Sequence, residues 1–178
     1  VYRHPSLGER FAPERIRPWI QAVYPDAEIH VCTQLQEVVD FQQECGCILL
    51  LHTMFRDQES TWSDLERIFG RQPRPHVIVA VDSSGDTPQT HRGTILNLVN
   101  RHPFRLLDLA DPRFESSLQQ AIERSRFWYG RQEVFEYPEE FRDRIGMPLT
   151  AEDVALIREQ DERFDELSMQ DEGDDHEA

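Results

Sequence analysis

Two uninterrupted apolar runs, Cys47-Ile48-Leu49-Leu50-Leu51 and Val77-Ile78-Val79-Ala80-Val81, constrain this chain more than any other feature. A strand with one face in water alternates apolar and polar residues, whereas an unbroken run is covered on both faces. Both runs end abruptly on polar residues, at His52-Thr53 and at Asp82-Ser83-Ser84-Gly85-Asp86. Segments of helical period lie between and around them. Residues 13–24 place Ile16, Ile20 and Val23 on one stripe, with Pro18 expected to kink the helix or mark its start. Residues 35–44 form a short helix through Leu35, Val38 and Val39, and residues 60–69 another, with Ser60 or Thr61 as N-cap. A further helix spans 87–101. The last begins at Asp111 as N-cap with Pro112 in the first helical position, and carries Phe114, Leu118, Ala121, Ile122, Ser125 and Trp128 inward.

Two weaker strands complete the pattern. Residues 27–33 alternate, with Ile29 and Val31 on one face, and residues 104–110 read Phe-Arg-Leu-Leu-Asp-Leu-Ala. A first strand is expected in the stub Val1-Tyr2-Arg3-His4 or upstream of it. Strands alternating with helices give an α/β domain, a parallel sheet of four to five strands with helices on both faces. This domain is expected to occupy residues 1–132. An irregular arm follows over 133–149, then an amphipathic helix over 150–168 opened by a Thr150/Asp153 capping box, and an acidic, disordered tail over 169–178. The helix places Val154, Ile157, Phe164 and Leu167 on a stripe narrow enough to suit a partner helix.

Composition narrows the function. A net charge of −15 repels phosphate backbones, so no nucleic-acid partner is expected. All 19 basic residues are arginines, and no mechanism that needs a lysine amine can run here. No apolar run approaches the length of a membrane span, so no membrane contact is expected. Cys32, Cys45 and Cys47 lie in apolar surroundings and read as free thiols in the core of a cytoplasmic protein. Cys45 and Cys47 with Cys32 and His52 do not match the paired spacing of a structural zinc site, so no metal and no cofactor is expected.

Residues 83–125 resemble the second half of response-regulator receiver domains, the CheY-like, flavodoxin-like fold. The likeness rests on Gly85-Asp86, Val99-Asn100-Arg101, Phe104-Arg105-Leu106-Leu107 and the helix that follows. Receivers transfer a phosphoryl group to an aspartate at the end of the third strand. The transfer uses a Mg²⁺-holding acidic pair, a sensing hydroxyl and a lysine. The resemblance puts the acceptor position on Leu51 or His52, the hydroxyl on Asp82 or Ser83, and the lysine on Leu109 with Ala110 in place of a proline. The acidic pair after the first strand is replaced by Arg3, His4, Pro5 and Ser6. Acceptor, metal cluster and lysine are absent together.

The resemblance therefore implies a pseudo-receiver: a regulatory, signal-transduction module that is not an enzyme, acts independently of phosphorylation and works by binding proteins. Its expected interaction surface lies within residues 87–129, with Arg101 and Arg105 flanking the last strand and Phe127, Trp128 and Tyr129 closing the helix. The residues Val154, Ile157, Phe164 and Leu167 of the C-terminal helix are expected to support self-association or to dock a partner. The rival expectation is a small-ligand or nucleotide binder, or a hydrolase, built on the strand ends at His52, Asp82, Ser83 and Asp108.

Overall fold

The computed structural model describes residues 1–5, 7–41, 45–51, 59–82, 102, 104–125, 151, 155, 158, 159 and 162. Four strands, β1 (Tyr2–Arg3), β2 (Cys47–Leu51), β3 (His76–Val81) and β4 (Arg105–Asp108), form an all-parallel sheet in the order β1-β2-β3-β4. The described helices are α1 (Pro13–Gln21), α2 (Leu35–Asp40), α3 (Glu59–Phe69) and α4 (Phe114–Glu123), with a 3-10 turn at Glu9–Phe11. The first strand is the short stub at the beginning of the chain.

The unbroken apolar runs are covered on both sides. One face sends Ile48, Leu50, Val77, Val79, Val81 and Leu106 toward Val38 of α2 and Leu65, Ile68 and Phe69 of α3. The other sends Leu49, Leu51, Ile78, Ala80 and Leu107 toward Ile16 and Ile20 of α1 and Phe114, Leu118 and Ile122 of α4. Phe114 anchors that second layer, edge-on to Phe11 at 5.4 Å and to Trp19 at 6.2 Å. This is an α/β architecture consistent with a Rossmann- or flavodoxin-like domain.

Several boundaries differ from the pattern expected of the sequence. The strand expected over 27–33 is reduced to one parallel bridge, Tyr2 to Cys32, in which the Cys32 N–H donates to Val1 O (2.7 Å) and the Arg3 N–H to Cys32 O (2.9 Å). Exposure still alternates along it, but a two-residue β1 offers no further rungs. The bridge lies on the side of β1 away from β2, so the chain crosses first one way and then the other from β1.

Helix α1 starts at Pro13 and runs through Pro18, which lies on its exposed face. Ser60 and Thr61 lie inside α3 and do not cap it. Helix α4 begins three residues after Asp111, because the Asp111 carboxylate accepts the Arg113 N–H (2.8 Å) and closes a separate turn first.

Arg71, just beyond α3, holds α2 against the sheet. Its Nη2 donates to the carbonyls of Val38, Val39 (2.8 Å) and Phe41 (2.9 Å), and its Nη1 to Cys45 Sγ at 3.6 Å. Last-turn carbonyls that α2 cannot satisfy internally are thereby paired by a charged donor. Among the described residues no helix is long and apolar enough to cross a membrane.

His76 opens β3 in the interior, and burial, with the Arg105 charge added, drives its imidazole down to about 3. A folded-state value below the unfolded one means the neutral ring is favoured by the fold. That stability is complete above the ordinary histidine value near 6.5 and is lost as pH falls from there toward 3. In urea unfolding between pH 7.5 and 5, the parent is expected to lose stability with an extra slope approaching ~1.4 kcal/mol per pH unit that His76→Leu lacks. Parallel curves for the two proteins would contradict the buried neutral imidazole.

Candidate functional site

In an open parallel sheet, ligands sit at the carboxyl ends of the strands, near the point where the crossovers change direction. In this chain that point is the end of β1 and β2. Register places Arg3 opposite Leu51, Leu51 opposite Ala80, and Ala80 opposite Leu107, as one row across the sheet. The next row out holds Val81 and Asp108. Beyond it the Leu109 N–H donates to Val81 O at 2.7 Å.

Apolar side chains fill the described part of this row. Leu51 is fully buried and Leu109 is 3% exposed, and both belong to one cluster with Leu7 and Phe11 from the loop after β1. That loop is held down by Arg3, whose Nε donates to Phe11 O (2.8 Å) and whose Nη2 donates to Leu7 O, with Gly8 O at 3.4 Å. The His4 N–H adds a bond to Leu51 O at 3.2 Å. The last residue of β1 thus carries a guanidinium committed to backbone carbonyls.

Asp82 is partly exposed just past β3, and Asp108 uses Oδ1 to accept the Ala110 N–H at 2.9 Å, a turn-closing role. His52 and Ser83 lie outside the described residues, so the described part of the rim comprises Leu51, Asp82, Asp108 and Leu109. Among the described residues no three His, Cys, Asp or Glu side chains converge as a metal site would require.

The expected interaction surface needs one correction. Arg105 is 5% exposed and lies within β4, so it does not present its guanidinium to a partner. Alternation is the reason: Arg105 shares a face with Leu107, which packs against α1 and α4. Arg101, Phe127, Trp128 and Tyr129 lie outside the described residues, as do Val154, Ile157, Phe164 and Leu167.

Residues 151, 155, 158, 159 and 162 are helical, and Arg158 ties that helix to the domain. Its Nη1 donates to Asp111 Oδ2 (2.9 Å) and its Nη2 to Ser117 Oγ (3.3 Å). Asp111 is held below the usual carboxylate range, first by the Arg113 backbone N–H and then by Arg158.

A hollow bordered by described residues was not legible in the sequence. It measures about 320 Å³ and lies at the amino end of β2, opposite the rim just described. Ile20 and Ile122 reach it from the α1/α4 face, Val38 and Arg71 from the other, and Cys32, Cys45 and Cys47 border it. Its lining comes from segments far apart in the chain.

The chain matches no model of a protein family, no curated protein and no solved structure.

The closed rim has a direct consequence for Leu51→Asp. A carboxylate in this apolar cluster is expected to cost ~3–5 kcal/mol in urea unfolding, whereas Leu51→Met is expected to cost under ~1.5 kcal/mol. An aspartate variant as stable as the parent would show that the site has room and solvent for a charge.

Proposed function

We propose that this chain is a receiver-like regulatory module that has given up phosphoryl chemistry and acts by binding other proteins in a signal-transduction role. One observation carries the reading: the place where such a sheet would do its chemistry is packed with Leu51, Leu109, Leu7 and Phe11 under an Arg3 clasp. Phosphoryl transfer needs an anionic acceptor, a hard cation on oxygen ligands and a positive group on the transferred phosphate. An aliphatic cluster supplies none of these, and a chain without lysine has no ammonium side chain to offer.

The receiver-like layout over residues 83–125 supports the family assignment, and the doubly wound order around β1 is compatible with it. With Arg105 turned inward, the partner-facing part of this region falls to the exposed side of α4, including Glu115, Ser116 and Gln120. The C-terminal helix reaches the same element through Arg158 and Ser117. A partner using α4 therefore meets this helix, either beside it or in its place.

The test uses the two reagents that activate ordinary receivers. Full-length protein incubated with acetyl phosphate and Mg²⁺ is expected to keep its intact mass, and its tryptophan fluorescence is expected not to respond to beryllofluoride with Mg²⁺. A stable phosphoryl adduct, or a saturable beryllofluoride response, would overturn the reading.

A further inference from the structure

We propose that the hollow at the amino end of β2 binds a small straight-chain carboxylic acid, with its carboxylate on the Arg71 guanidinium and its alkyl chain among the aliphatic side chains. The inference is independent of the receiver-like reading, because it concerns the opposite end of the sheet. The space measures about 320 Å³, at the small end of ligand pockets, and has room for roughly ten water-sized units. Ile20, Ile29, Val38, Ile48 and Ile122 border it, so an alkyl chain that enters gains by displacing water from apolar surface.

Arg71 supplies the charge. It is partly buried, and none of the acceptors it meets among the described residues is a carboxylate: Nη2 faces the carbonyls of Val38, Val39 and Phe41, and Nη1 reaches Cys45 Sγ at 3.6 Å. A guanidinium carries five N–H groups in one plane. The two on Nη2 serve the carbonyls and one on Nη1 serves the sulfur. The second Nη1 hydrogen and the Nε hydrogen are left without an acceptor among the described residues. The same contacts hold the plane still, so a carboxylate finds its donors already ordered. A cation drawn out of water is costly until an anion and hydrogen bonds compensate it, and a carboxylate brings both.

Other polar groups at the border are directed elsewhere. Val1 N donates to His30 O at 2.6 Å, and His30 Nε2 lies 3.0 Å from Glu28 Oε1. The Glu28 side chain is 78% exposed, so water and salt screen its charge more than that of the partly buried Arg71. The chain as a whole carries −15 and attracts cations. A preference for an anion therefore has to come from a positive group at the site itself.

Calorimetric titration of the full chain with octanoate, 1-octanol and octylamine tests the proposal, with NMR amide shifts reporting the place. Octanoate is expected to bind with a Kd below ~1 mM, at least roughly tenfold tighter than octanol. Its saturable shifts are expected at Gly46, Ile48 and Ser125 and not at Leu51 or Leu109, and octylamine is expected to leave those border amides unmoved. From hexanoate to octanoate the affinity is expected to rise about fourfold per methylene, and to stop rising by dodecanoate, whose chain exceeds the hollow. Arg71→Gln is expected to bind octanoate no tighter than octanol. If that variant misfolds, the ligand series and the shift map of the parent decide alone. A Kd for octanoate above ~1 mM, octanol or octylamine as tight as octanoate at those amides, or shifts centred away from the hollow would overturn the proposal.

Discussion

All six residues of β3, from His76 to Val81, are buried, and β2 is buried from Ile48 to Leu51. Strands in that situation leave no side free for water, so each side chain must find apolar cover above or below the sheet. That requirement places α2 and α3 on one face and α1 and α4 on the other. Burial of this area is the dominant favourable term in folding, at roughly 25 cal/mol per Å². It also fixes what the carboxyl ends present. A strand that is aliphatic to its last residue brings Leu51, rather than a polar group, to the rim where chemistry in such folds takes place.

The missing lysines give the arginines much of the structural work. Arg3 pins the loop after β1 by its carbonyls, Arg71 pins the end of α2, and Arg158 pins the C-terminal helix to Asp111 and Ser117. A guanidinium presents several donors in a fixed plane and can serve two or three carbonyls at once, which a single ammonium does less well. Each clamp joins a peripheral segment to the sheet-and-helix core. The cationic groups at Arg3 and Arg71 are consequently engaged with the protein's own oxygen and sulfur atoms.

The two central strands and the layer arrangement were legible because unbroken apolar runs have few other solutions. Helix α4 was legible from Phe114, Leu118, Ala121 and Ile122, its start less so, since the Asp111 side chain serves a turn before the helix as readily as the helix itself. Residues 27–33 carry the alternation of a strand, yet pairing depends on a neighbour, and β1 is two residues long. Arg105 looked like a surface charge because sequence shows its type and not its face. Leu51 and Leu109 were legible as apolar residues at the strand ends, but the parts played by Leu7, Phe11 and Arg3 depend on how the loop after β1 folds back. The hollow at the other end is a property of packing between distant segments, and no local pattern announces it.

Backbone amides of Leu51, Asp82 and Leu109, followed by NMR as Mg²⁺ is raised well past physiological levels, test the closed rim most directly. The expected result is no saturable shift at Leu51 or Leu109, with only the weak, linear changes of an acidic surface elsewhere. Saturable shifts converging on those two amides would mean that a cation enters where the apolar cluster is placed, and would contradict the account.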